Sequence, residues 1–166
     1  MDRDHHLGKA RHNERVLEAI GKLQPSCHDW SVVVAFYAAV HYVNAFFALD
    51  KLHPEVHSPP QRRLLEATPT SESPYPSGSS RHTLVPSSQT EAGPPSFPLA
   101  RNYLVSTMLS PIEQRYFWLY DKSIEARYTA PTLSHEAVDR AIEQLGHVRG
   151  YILGELERRR AQTPGS

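Results

Sequence analysis

The chain has 166 residues and a mass of 18.8 kDa, which is room for one well-cored domain and not for two. Lys plus Arg equals Asp plus Glu at 18 each, so no uniform basic field exists to hold nucleic acid by itself. The single Cys excludes an intramolecular disulfide and a Cys-based zinc ribbon. The basic residues are lopsided, 14 Arg against 4 Lys, and Arg is the better residue for bidentate contacts with phosphate or carboxylate. The chain opens on Asp, Arg and His rather than a charged-then-apolar leader, which points to the cytoplasm.

Hydrophobic periodicity predicts helices and no strands. The first helix is expected over residues 4–23. Val16, Leu17, Ile20 and Leu23 form its apolar face, and Arg11, Glu14, Arg15, Glu18 and Lys22 the opposite one, with Pro25 as the stop. His5, His6 and His12 read as a solvated cluster. The second helix is expected over residues 27–49, capped by Ser26 or Asp29. Between Trp30 and Leu49 only Ser31, His41 and Asn44 are clearly polar. That length could span a bilayer, but His41 and Asn44 near its middle and the many Ala residues favour the buried centre of a helical domain. Cys27, beside His28 at the helix start, is a weak candidate for a reactive thiol.

A short helix is expected near Ser58, carrying Arg62 and Arg63. His53 and His57 stand at helical ligand spacing, but Pro54 between them argues against a metal pair, so no metal and no cofactor are expected. Residues 68–98 hold seven Pro and eight Ser with almost no aliphatic side chains, and read as a disordered insertion. Helix resumes over residues 99–109. Ser110-Pro111 reads as a cap and first turn of a further helix that runs to Tyr128. The aromatic run Tyr116, Phe117, Trp118 and Tyr120 covers all azimuths of that helix, so part of it should be exposed or covered by a partner. A last helix is expected over residues 134–160, with Ser134 at its start. Val138, Ala141, Ile142, Leu145, Val148, Tyr151, Ile152 and Leu156 should line its inner face. The sum is one all-α domain of four or five helices, with residues 68–98 as an insertion.

The run from Trp30 to His41, Trp-Ser-Val-Val-Val-Ala-Phe-Tyr-Ala-Ala-Val-His, resembles a helix of the HEPN-domain family, the small helical bundles found beside nucleotidyltransferases and in ribonuclease toxins. His57 before a helix, and Leu119-Tyr120-x-x-Ser123-x-x-x-Arg127-Tyr128, are similar to features of one branch of that family. The resemblance spans residues 7–67 and 99–156. It implies an up-down bundle that forms a homodimer, binds RNA or a nucleotide, and works with a nucleotidyltransferase-type partner or in a toxin-antitoxin pair. Many members cleave RNA without metal. An Arg stabilises the charge on phosphorus, and a His moves a proton at the ribose 2′-OH.

The resemblance makes Arg127, His41 and His57 the catalytic candidates and Tyr37, Tyr128 and Arg63 the substrate-binding ones. The family's usual signature is Arg, four to six residues, then His. Here it has one literal match, Arg140 and His147, a reserve pair late in the chain. Ala141 follows that Arg, where the family prefers a polar residue. The alternative function is a non-catalytic helical module that docks a partner protein.

Overall fold

In a computed structural model the described residues are 2–23, 27–49, 97–129 and 132–162, with side chains described outside residues 97–100. Among them every regular element is helical: α1 (Arg3–Ile20), α2 (His28–Leu49), α3 (Phe97–Met108), a 3₁₀ turn (Ser110–Ile112), α4 (Glu113–Tyr128) and α5 (His135–Gln162). The expected short helix near Ser58, with His53, His57, Arg62 and Arg63, lies outside the described residues, as does most of the 68–98 insertion. The end of that insertion needs correcting, because helix begins already at Phe97. Pro98 is its second residue, where the missing N–H is no loss.

The most apolar segment forms the centre. Fourteen residues of α2 are buried, and α2 packs against α1, α4 and α5. It is long and apolar enough to cross a membrane, yet 72% of its most apolar window is buried inside the fold. Ala35, Ala38, Ala39 and Ala45 are fully buried. With only a methyl to accommodate, each lets a neighbouring helix approach closely. Across α2, Phe36 meets Tyr116 and Tyr120 of α4 at ring-centroid distances of 5.8 and 5.6 Å. Asn44, also buried on α2, accepts from Arg101 Nε at 3.0 Å and so ties α3 to the centre.

Two helix faces differ from the sequence reading. In α1 the buried residues are His6, Ala10 and Leu17, while Leu23 lies beyond the helix and is 50% exposed. The outward face is also wrong at one position. Glu14 Oε2 accepts from Tyr42 Oη at 2.9 Å, and its Oε1 from Arg149 at 3.0 Å, so one carboxylate joins α1, α2 and α5. In α5, Ile142 is 48% exposed rather than buried.

Caps explain where the helices begin. The Asp2 side chain accepts from His5 N at 2.8 Å and starts α1. Ser134 Oγ accepts from Ala137 N at 3.3 Å and starts α5, as expected. Asp29 does not cap its own helix. Its Oδ1 accepts from Leu133 N at 2.7 Å, and His28 Nδ1 lies 3.0 Å from Leu133 O, so α2 clamps the backbone just ahead of α5. The chain breaks at Pro111 as expected, but through a 3₁₀ turn in which the Ser110 side chain caps nothing.

Candidate anion site on the central helix

Tyr37 and His41 lie one turn apart on α2 and therefore share a face. Two neighbours meet that face. From α4, Arg127 Nη1 donates to Tyr37 Oη at 3.2 Å. From α1, His6 Nδ1 lies 3.2 Å from His41 Nδ1. The expected residues Tyr37, His41, Arg127 and Tyr128 thus occupy one side of the molecule, with His6 added.

Arg127 is fixed from within its own helix. Its Nε donates to Ser123 O at 2.8 Å, and its Nη2 to Ser123 Oγ at 3.2 Å. Ser123 is fully buried and sits four residues earlier, which is the helical spacing this contact needs. The guanidinium carbon lies 5.9 Å from the Tyr37 ring centroid and 5.4 Å from that of Tyr128. Both rings are open, Tyr37 at 43% and Tyr128 at 61% exposure. Arg127 forms no ion pair with a described carboxylate. Glu125, the obvious local candidate, pairs with Lys122 at 2.5 Å instead. The result is a half-exposed cation whose geometry is set by neutral groups and whose edge is walled by two aromatic rings. Such an arrangement suits a phosphate with a base or sugar beside it.

The His pair has a different character. His6 is 1% exposed, which corrects its reading as part of a solvated cluster. One ring must donate and the other accept across the 3.2 Å contact. Nδ1 of His41 is thus engaged with His6. His41 is partly exposed, while His6 is sealed in. The pair therefore orients His41 from behind, and the same contact also pins α1 to α2.

The reserve pair is not brought together by any direct contact. Arg140 lies over the Trp118 ring at 4.9 Å, whereas His147 Nε2 faces Glu143 Oε1 at 3.7 Å. Six residues stand between them on α5, which sets them about 10 Å apart along its axis. His57 and Arg63 lie outside the described residues. Among the described residues no group of three or more His, Cys, Asp or Glu could hold a metal.

Sequence reasoning missed the roles of His6 and Ser123. Ser123 had a signal, since it stands four before Arg127. His6 had a weaker one, the small Ala10 one turn after it and Leu17 two turns beyond that, which together trace the buried face of α1.

No family model, no curated protein and no solved structure matches this chain.

Proposed function

We propose that this chain is a HEPN-like up-down helical bundle that binds RNA or a nucleotide through Arg127. The supporting observation is the guanidinium itself, fixed by Ser123 and Tyr37, unpaired with any described carboxylate, and set between two exposed tyrosines. On this reading Arg127 takes the phosphate, and Tyr37 and Tyr128 stack on the sugar or base. If RNA is cut here, the 2′-OH attacks the adjacent phosphorus, Arg127 stabilises the charge, and His41 moves the proton. The resemblance adds the expected assembly, a homodimer with a nucleotidyltransferase-type or toxin-antitoxin-type partner in the cytoplasm.

One observation favours the second reading, a non-catalytic module that docks a protein. Trp30 and Tyr37 lie two turns apart on α2 and are 63% and 43% exposed on an otherwise largely buried helix.

The deciding experiment incubates the protein with a labelled structured RNA in EDTA, beside Arg127→Ala. Saturable binding that weakens about tenfold or more in the variant supports the RNA reading, since a charge-assisted contact of this kind contributes about 1.5–3 kcal/mol. Cleavage by the native chain alone extends that reading to a ribonuclease. Equal binding by both proteins overturns it and leaves the protein-docking reading.

A further inference from the structure

A second group of arginines stands at the other end of α4. The 3₁₀ turn, the first turns of α4 and the middle of α5 enclose an open-sided groove of about 680 Å³. Two guanidiniums line it, Arg115 and Arg140, with Gln144, Trp118 and Ser110 beside them. Arg127 is nine residues past Trp118 on the same helix, about 13 Å along its axis, so this groove is separate from the tyrosine-walled site.

The two arginines are held without carboxylates. Arg115 Nη1 donates to Gln144 Oε1 at 3.0 Å. Arg140 lies over Trp118, its guanidinium carbon 4.9 Å from the ring centroid. Neither forms an ion pair with a described residue. Glu113 also lines the groove, and it pairs with neither of them. Gln144 is only 8% exposed, yet it reaches the groove wall. A buried amide thus fixes one guanidinium, and an indole face fixes the other.

Guanidinium groups are donors only. The two forks therefore ask the ligand for acceptor oxygens, and the Gln144 NH2 and the Ser110 hydroxyl can donate to them as well. Bidentate geometry matches the oxygens of a phosphate group. The net charge of the lining, two cations against the Glu113 carboxylate, favours an anion. The groove is open-sided and roomier than a bare phosphate requires.

We propose that the Arg115–Arg140 groove is a binding site for a small phosphorylated ligand, with the phosphate between the two guanidiniums. The proposal does not rest on the Arg127 site.

Trp118 provides the readout. In a Trp30→Phe background it is the only indole in the chain, so its fluorescence reports the groove. The probes are pyrophosphate and ADP, in magnesium-free buffer at constant ionic strength. The expected result is a saturable change in Trp118 emission. Arg115→Gln and Arg140→Gln should each weaken it about tenfold or more, and Arg127→Gln should leave it unchanged. Circular dichroism of each variant checks that the helices persist, and Arg115→Lys, which keeps the charge and loses the fork, should bind between native and Gln. Tighter binding of ADP than of pyrophosphate assigns a nucleotide to the groove, and equal binding assigns the phosphate alone. The proposal is overturned by no saturable change, by equal affinity in the Arg115→Gln and Arg140→Gln variants, or by the same response to added chloride.

Discussion

The contrast between Arg127 and His41 shows how differently two candidate residues can be held. Arg127 takes its contacts from a serine and a tyrosine, so its charge stays available. His41 spends Nδ1 on a buried histidine of another helix. Removing each should therefore give distinct results. His41→Ala removes the contact with the buried His6, and losing a buried hydrogen bond of this kind costs about 1–3 kcal/mol. The expected outcome is a lower midpoint in urea denaturation with the slope unchanged. Arg127→Ala, at a half-exposed position, should move the midpoint by less than about 1 kcal/mol while changing ligand binding. A His41→Ala variant with native stability would show that the His6 contact contributes nothing to packing. Tyr116 poses the opposite case. It is fully buried, and its hydroxyl makes no well-aligned hydrogen bond, although the Arg101 guanidinium of α3 lies close enough to oppose the effect of burial.

Among the helices, α2 organises the others through buried apolar contacts and through polar ones spread along its length. At its start, Asp29 and His28 grip both backbone groups of Leu133, which fixes where α5 begins. Toward its far end, Asn44 holds Arg101 of α3. These contacts explain why Asp29 fails as a cap of its own helix: its carboxylate serves a chain segment 104 residues away. Asp29→Ala should cost about 1–2 kcal/mol, comparable to losing a helix cap. Amide hydrogen exchange should accelerate in the first turns of α5 and not in its C-terminal half, which would locate the loss at that junction. Uniform acceleration along α5 would mean instead that Asp29 acts on the whole fold. The aromatic run of α4 has a similarly local explanation. The core takes Tyr116, Phe117 and Leu119, while Trp118 and Tyr120 are half-buried at its rim, and Trp118 reaches the arginine groove.

At the scale of the whole molecule, two buried tyrosines make stability depend on pH in the alkaline range. Burial pushes the Tyr116 hydroxyl from 10.0 up to about 12, and burial followed by the bond to Glu14 does the same for Tyr42. The unfolded chain releases these protons near pH 10, while the folded chain still holds them. Between those values the unfolded state binds fewer protons, so stability falls as pH rises. The expected outcome is a melting temperature that is level below pH 10 and falls progressively toward pH 12. Tyr116→Phe should flatten part of that fall and leave neutral-pH stability little changed, because its hydroxyl gives up only a poorly aligned contact with Arg101. A fall of the same depth in the variant would remove Tyr116 as a cause.

The all-helical class, the break at Pro111, the Ser134 cap and the central position of α2 were legible in the sequence. Each rests on a local signal: hydrophobic period, proline, a capping hydroxyl, or a stretch with too little polarity to face water. The pairing of Tyr37 and His41 on one face was equally local, a matter of four-residue spacing. What only tertiary structure decided is which group meets each of them. His6 looked solvated because its neighbours along the chain are polar, and α2 buried it. Glu14 looked outward because its helix face is charged, yet Tyr42 and Arg149 turned it into a junction of three helices. Arg115 and Arg140 share a groove because α4 packs on α5 at that point. The physical reason is common to all three. Hydrophobic period sets how a helix turns its faces, but not which neighbour comes to cover them, and hydrogen bonds across helices follow from the second.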